Sequence, residues 1–389
     1  MMIKSEQKIK EALTRGVKQV LPSKEGLAKL MRKRKIRVYH GIDPTSKRLH
    51  IGHAISLRKL QEFADLGHEA ILVVGTGTVL TGDPSLREKA RTHISGREIK
   101  ENIKTWREQA GKILDFSKIK IKYNGNWLLK LKLKEIADIA SHISAIKLFQ
   151  REMFQRRIKN GETVWVHETF YPLLQGYDSV ALDVDLEIGG TDQVFNMLIG
   201  RELQQKMRKR EKFVMTLPMI LGIDGKPMSK TSGNCIWISD SADQMFGKVM
   251  SIPDTLVADY LRLITRVPLT EIKELSPRNA KARLAWEIVS VFHSKKAAES
   301  AEKEFNKVFK QKKLPSKIPA ASIRQKELNI LDLLTKTKLA PSRSEAKRLI
   351  VQGGVKISGQ VQKSWQKKVD IKKGMVVQVG KRKFIKIRN

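Results

Sequence analysis

Two short stretches carry residues whose types and spacing could do chemistry on a phosphate. In LHIGHA (49–54), His50 and His53 stand three positions apart, which puts both on one face of a first helical turn. They follow the Gly-Ile-Asp-Pro turn at 41–44 and open an apolar helical pattern. A helix start has unpaired N–H groups and the positive end of the dipole, so it attracts anions. Gly52, between the histidines, lets a ligand come close to the backbone. A metal reading of the pair needs further ligands, and neither an HExxH motif nor a cysteine cluster supplies them. The second stretch, GIDGKPMSKTSGN (222–234), gathers Gly222, Gly225, Lys226, Ser229, Lys230, Thr231 and Gly233 in one loop behind an apolar run. Glycines with lysines and hydroxyls suit a loop that closes on a polyphosphate and neutralises charge as it develops. Taken alone, the same loop also fits a solvated basic turn.

The elements around these stretches determine whether they can meet. IRVYHG (36–41) reads as a strand, and the spacing of Ile55, Leu57, Leu60, Phe63 and Ala64 predicts a helix from about Ile51 to Leu66, stopped by Gly67. AILVVG (70–75) reads as a strand buried on both faces. Strand, loop, helix and strand make a parallel α/β unit the economical reading. Further on, Ile99, Ile103, Trp106, Ala110 and Ile113 mark one helix, IKIKY (119–123) a strand, and 134–159 two helices ending near Gly161. A helix from about Asp192 with the basic end QQKMRKR precedes a buried strand over 213–221. After about Ile238 the pattern turns to helices only. KQKKLPSKIPAAS (310–322) reads as a linker, and two short helices followed by strands with glycine turns close the chain.

Composition narrows the partners. The 389 residues hold 76 Lys and Arg against 40 Asp and Glu, a formal net charge of +36. Such a surplus repels itself unless a polyanion is a regular partner, and nucleic acid is the commonest one. Residues 321–389 hold 18 Lys and Arg against 4 Asp and Glu, more than their share by length. The single cysteine, Cys235, excludes an internal disulfide framework and reads as a buried bystander thiol. With no apolar run of about 20 residues and a polar, charged N-terminus, neither a membrane span nor a secretory signal is expected, and the expected compartment is the cytoplasm.

The two motifs together resemble the HIGH and KMSKS signatures of class I aminoacyl-tRNA synthetases, in order and separation. YHGIDPTSKRLHIGHA (39–54), TGDPS (81–85), YPLLQGYDS (171–179) and GGTDQ (189–193) narrow the resemblance to the tyrosyl-tRNA synthetase family. The stretch 291–309 is similar to the helical region behind that family's catalytic domain, and SRSEAKRLIVQGGVKISGQ (342–360) to an S4 RNA-binding module, so the likeness covers nearly the whole chain. The resemblance implies an α/β fold: a Rossmann-like parallel-sheet catalytic domain (1–238), an all-α domain (239–309) contacting the anticodon region, a linker (310–322) and a small α+β S4-like domain (323–389).

It also implies roles. Tyr39 and Asp178 would face the phenolic hydroxyl of tyrosine; by residue type alone they read as a core aromatic and a helix-surface carboxylate. A pocket built to bond a hydroxyl rejects the analogue that lacks it, and tyrosyl enzymes are a standard example. Tyr171, Gln175 and Asp83 would hold the amino group, and Asp43, Asp192 and Gln193 would surround the amino acid and the ribose. Thr45, His50, Gly52 and His53, with Met228, Ser229, Lys230 and Thr231, would face ATP. Thr191 also reads as a helix N-cap. Where the second signature begins with lysine this chain has Pro227, so the charge falls on Lys230 or on Lys226 from a shifted start. Magnesium would accompany ATP without a dedicated protein cage. The implied partners are tRNA(Tyr), tyrosine, ATP and a second copy of the chain. A tryptophan-specific synthetase and an inactive, RNA-binding synthetase scaffold are the competing readings; an indole would offer Tyr39 and Asp178 no hydroxyl.

Overall fold

The computed structural model describes residues 2–85, 95–229, 232–268, 270–271, 275–309, 311, 314–316, 318–380 and 383–388, with side chains from residue 6 onward. It divides into two compact units, Met1–Ala301 and Glu302–Asn389. The first is built on six strands: β1 (Gln19–Leu21), β2 (Arg37–Ile42), β3 (Glu69–Val74), β4 (Ile119–Tyr123), β5 (Leu186–Gly190) and β6 (Phe213–Leu217). Their order is β1-β6-β5-β2-β3-β4, parallel throughout except for β1, which pairs antiparallel with β6 at one edge.

The chain leaves β2 toward β3 and β4 on one side and returns to β5 and β6 on the other. Strand order therefore reverses between β2 and β5, and a crevice opens beyond their carboxyl ends, the usual ligand position in such sheets. The strand reading of 36–41, the Ile51–Asp65 helix, the strand at 69–74 and the strand at 119–123 all stand. Gly67 supplies the left-handed residue after the helix, at φ +85°.

Other expectations are corrected. The apolar spacing from Ile99 to Ile113 belongs to two helices, Gly96–Ile103 and Trp106–Ala110, with Lys104 and Thr105 between them. The stretch 134–159 holds three helices, Leu133–Ser141, Ala145–Phe149 and Glu152–Lys159, because Ser144 and Arg151 take extended or near-extended backbone before new helix starts. The buried strand ends at Leu217, since Pro218 cannot donate to a ladder. The helix expected from Asp192 begins at Val194, after one 3-10 turn over Thr191–Gln193.

Helices Ala242–Val249, Val257–Ile264 and Pro277–Phe292 complete this unit. Arg15 holds the end of the second of these, donating to the carbonyls of Thr265 at 2.7 Å and Val267 at 3.0 Å. Such a cationic fork satisfies carbonyls that a helix end leaves open. The second unit packs helices Ile330–Lys336 and Arg343–Val351 against a five-stranded sheet around Leu333, Leu334, Ile350, Val355 and Val377. Among the described residues no helix is long and apolar enough to cross a membrane.

Candidate active site

A cavity of about 400 Å³ opens at the β2/β5 crevice. Its inner end is set by strand register. Tyr39 on β2 lies beside Glu187 on β5 and Ile71 on β3, so the three side chains share one face of the sheet. Tyr39 is buried against Ile71, Val73 and Val184, and its Oη lies 3.0 Å from Ser179 Oγ. Burial first, then the charges of Glu187 and Asp178, push the Tyr39 phenol well above its ordinary value, so it stays protonated.

Asp178 comes from the Val166–Leu182 helix and is buried as well. Its Oδ1 accepts from Trp127 Nε1 at 2.8 Å and its Oδ2 from Asn124 Nδ2 at 3.0 Å. Burial outweighs those two donors and pushes the carboxyl from 3.8 up to about 8. A protonated phenol and a carboxyl held by two donors therefore face one small volume.

The middle of the cavity is lined with acceptors. Tyr171 Oη donates to Asp43 Oδ2 at 3.1 Å, and Thr78 Oγ1 donates to Asp43 Oδ1 at 2.7 Å. Gly75 makes this possible, because a Cβ there would fall 1.9 Å from Asp43 Oδ1. Asn124 ties the two ends together, donating to Thr78 Oγ1 at 3.0 Å as well as to Asp178. Gln193 Nε2 donates to Asp83 Oδ2 at 2.8 Å and Asp192 Oδ2 at 3.0 Å, while Gln175 Nε2 donates to Glu187 Oε1 at 3.1 Å. Burial, ahead of the other causes, raises the Asp192 carboxyl. Asp43, Asp83 and Asp192 in one cavity favour a cationic group on the ligand, while Glu187 is already paired with Lys212.

At the outer end lies the first signature. His50 is the residue before the Ile51–Asp65 helix, with extended backbone, and its N–H donates to His53 Nδ1 at 3.1 Å. The two imidazole centroids are 3.9 Å apart. Gly52 is needed because a Cβ would meet the His50 ring at 2.9 Å. The segment after the second signature runs alongside: Ile51 N–H donates to Ile236 O and Ile238 N–H to Leu49 O, both at 2.9 Å. One short antiparallel contact thus brings the two motifs together.

Asn234, buried, pins the second loop. Its Nδ2 donates to Asp224 Oδ1 at 2.9 Å and to Pro227 O at 3.0 Å, and its Oδ1 accepts from Ser229 N–H at 2.9 Å. Pro227, at the position where the signature has lysine, occupies an antiparallel bridge with Leu221 and lines the cavity.

Of the residues expected at the site, Tyr39, Asp43, Thr45, His50, Gly52, His53, Asp83, Tyr171, Gln175, Asp178, Asp192, Gln193 and Met228 all line this one cavity. Lys226 and Ser229 are exposed and do not line it. Lys230 and Thr231 lie outside the described residues. Sequence reading missed Asn124, Trp127, Ser179, Glu187 and Asn234. Only Glu187 leaves a signal, as a carboxylate in the middle of the otherwise uncharged run LEIGG. Among the described residues no group of three His, Cys, Asp or Glu could hold a metal ion.

Comparison with known proteins places this geometry. Residues 31–310 match the family model for class I tRNA synthetases of the W and Y type, and residues 309–387 match that for the tyrosine–tRNA ligase SYY-like C-terminal domain. The chain is 43% identical over 385 residues to the tyrosine–tRNA ligase of Thermotoga maritima, covering 96% of each. It is 42% identical over 386 residues to that of Haemophilus influenzae, covering 97% of this chain and 96% of the relative. A C-terminally truncated mitochondrial tyrosyl-tRNA synthetase of Aspergillus nidulans superposes with a TM-score of 0.67 at 21% identity, over 79% of this chain and 99% of that one. The Archaeoglobus fulgidus enzyme, solved with L-tyrosine, gives 0.62 at 20% identity, over 77% and 99%. At those identities the two structures establish a shared fold.

Proposed function

We propose how the cavity works from one premise: the chain belongs to the tyrosine–tRNA ligases, within the class I tRNA synthetases. As such it activates tyrosine with ATP, releasing pyrophosphate, and transfers the tyrosyl group to the 3′ end of tRNA(Tyr), releasing AMP. Between the tryptophan and tyrosine branches, the full-length relatives select tyrosine.

The observation that carries the residue assignment is the polarity of the cavity, a hydroxyl-reading inner end joined through a carboxylate-lined middle to a helix start. Tyr39 and Asp178 bond the phenolic hydroxyl. Asp83, Tyr171 and Gln175, with Gln193, hold the ammonium. Asp43 and Asp192 lie toward the ribose side, and Gly52 lets ATP approach the start of the Ile51–Asp65 helix.

The chemistry needs no covalent enzyme intermediate. Tyrosine's carboxylate attacks the α-phosphorus of ATP, the bond to pyrophosphate breaks, and tyrosyl-adenylate stays bound. The protein contributes position and charge stabilisation. His50 and His53 donate to phosphate oxygens, Thr45 lines the same wall, and Met228, Ser229, Lys230 and Thr231 close over the leaving group. Lys230 carries the neutralising charge, with Lys226 assisting from the turn. ATP enters as its magnesium complex, a substrate that brings its own cation.

The helices of 239–309 and the basic module 323–389, joined by 310–322, whose last three residues, Ala320–Ser322, form an edge strand of the module's sheet, take the tRNA. Phosphate contacts position it and unpaired bases supply identity. A homodimer is supported by apolar side chains left exposed between 129 and 170, among them Leu133, Ile146, Trp165 and Val166. A cytoplasmic location goes with a reaction that consumes tRNA and ATP.

ATP–pyrophosphate exchange with tyrosine, phenylalanine and tryptophan in parallel tests the pocket, and exchange with tyrosine alone is expected. A chain ending at residue 309 should retain that exchange and lose tRNA charging; unchanged charging would remove the C-terminal module from the account.

A further inference from the structure

Behind the phenol end of the cavity lies a cation that does not line it. Lys212 precedes β6 and is fully buried. Its Nζ pairs with Glu187 Oε2, donates to Ser179 Oγ at 2.7 Å and reaches Met197 O at 3.2 Å. Glycine makes the room: a Cβ at Gly200 would lie 2.5 Å from this nitrogen and 2.9 Å from Ser179 Oγ. A buried ammonium is tolerated only when paired and fully hydrogen-bonded. Here burial lowers its pKa while Glu187 opposes the shift.

The bond directions follow from what each atom can do. Met197 O only accepts, and the lysine nitrogen donates to it and to Ser179 whether Lys212 or Glu187 holds the proton they share. Ser179 Oγ is therefore an acceptor toward Lys212. Toward its other partner, Tyr39 Oη at 3.0 Å, either hydroxyl could donate; with one lone pair already taken by Lys212, Ser179 is the better placed to give its proton there. When Tyr39 Oη accepts from Ser179, its own proton turns away from Ser179. Glu187, next to Tyr39 in the sheet, is also a hydrogen-bond partner of the Tyr39 hydroxyl and so competes for that proton; its engagement by Lys212 and by Gln175 Nε2 at 3.1 Å weakens its hold.

We propose that Lys212 is a positioning residue for amino-acid selection: through Ser179 it makes Tyr39 a hydrogen-bond donor toward the phenolic oxygen of tyrosine, leaving Asp178 to receive the phenolic proton. The proposal rests on the assignment of Tyr39 and Asp178 to that hydroxyl. A phenol both donates and accepts, so a pocket with one fixed donor and one acceptor matches it, and phenylalanine leaves both unpaired.

The test measures kcat/KM for tyrosine and phenylalanine in ATP–pyrophosphate exchange with the full chain. Ser179→Ala breaks the relay without stranding a charge. It should lower the tyrosine-to-phenylalanine ratio about 10-fold, the worth of one directed hydrogen bond, through KM for tyrosine. In a Tyr39→Phe background the same change should add nothing, because the effect travels through that hydroxyl. Equal losses for both amino acids, or the same fall with Tyr39→Phe present, would overturn the relay. An unchanged ratio in Tyr39→Phe alone would instead overturn the assignment of Tyr39, and the relay with it. Lys212→Met alone would strand the Glu187 carboxylate, so the lysine itself is tested as Lys212→Met with Glu187→Gln, with folding checked by thermal melting. A fall in ratio matching Ser179→Ala is expected, and the unaltered protein's ratio in that folded variant would remove Lys212 from the account.

Discussion

At its inner end the cavity is walled by side chains on β2, β5 and the Val166–Leu182 helix, and each is held by further side chains: Tyr39 by Ser179, Asp178 by Asn124 and Trp127, Glu187 by Lys212. At its outer end it meets a helix start and the 222–234 turn, where Lys226 and Ser229 stand in solvent. The difference fits the two tasks proposed for the two ends. Telling a hydroxyl from its absence requires polar groups fixed in a dry site, so that the wrong ligand leaves them unpaired. Stabilising a departing pyrophosphate requires donors that can follow moving charge, which loops and helix starts provide.

The sharpest way to break this contrast is at the outer end. Lys230→Ala should lower the rate of ATP–pyrophosphate exchange about 10²- to 10³-fold, the usual loss for one transition-state donor, and equally for tyrosine and phenylalanine. At the inner end, Asp178→Asn should lower the tyrosine-to-phenylalanine ratio about 10- to 100-fold, as expected for a hydrogen bond to a charged group, with a much smaller effect on phenylalanine turnover.

A pH profile sharpens the same comparison. The folded Asp178 carboxyl titrates at about 8 rather than 3.8. On the proposed assignment its ionised form accepts the phenolic proton, so kcat/KM for tyrosine should climb with pH through a midpoint near 8 and level off above it. The limb should be missing with phenylalanine and in Asp178→Asn. The sign for stability is opposite: the folded state holds this proton more tightly than the unfolded chain, so that contribution is full below about 3.8 and is lost as pH rises through about 8. A urea midpoint that rose over that range relative to Asp178→Asn would contradict the assignment.

The smallest effect expected is that of Trp127→Phe. Removing one of the two donors to Asp178 should move the limb to higher pH by less than about one unit and lower the ratio a few-fold, because Asn124 remains.

Much of this was legible in the sequence where one element carries its own signal. The histidine pair, the glycine-lysine loop and the run 119–123 announce themselves by type and spacing, and all but Lys226, Ser229 and the undescribed Lys230 and Thr231 of the expected site residues reach one cavity. What stayed hidden depends on register and on distant partners. β5 is five residues with Glu187 at its second position and two glycines at its end, so its apolar run is too short to read as a strand. β1 is three residues that become a strand only by pairing with β6. Lys212 looks like one more lysine in the basic stretch KMRKREK, and its burial follows from Gly200 and Glu187, far from it in sequence or on another strand. Helix breaks at Lys104 and Arg151 interrupt apolar spacing that continues across them.

The most direct test of a cavity divided between selection and rate is the tyrosine-to-phenylalanine ratio of kcat/KM in ATP–pyrophosphate exchange, measured for Lys230→Ala, Asp178→Asn and the two combined. Lys230→Ala should leave the ratio within about twofold of the unaltered protein, and the double variant should show the ratio of Asp178→Asn alone, as independent sites do. A Lys230→Ala ratio that falls as far as that of Asp178→Asn would contradict the division.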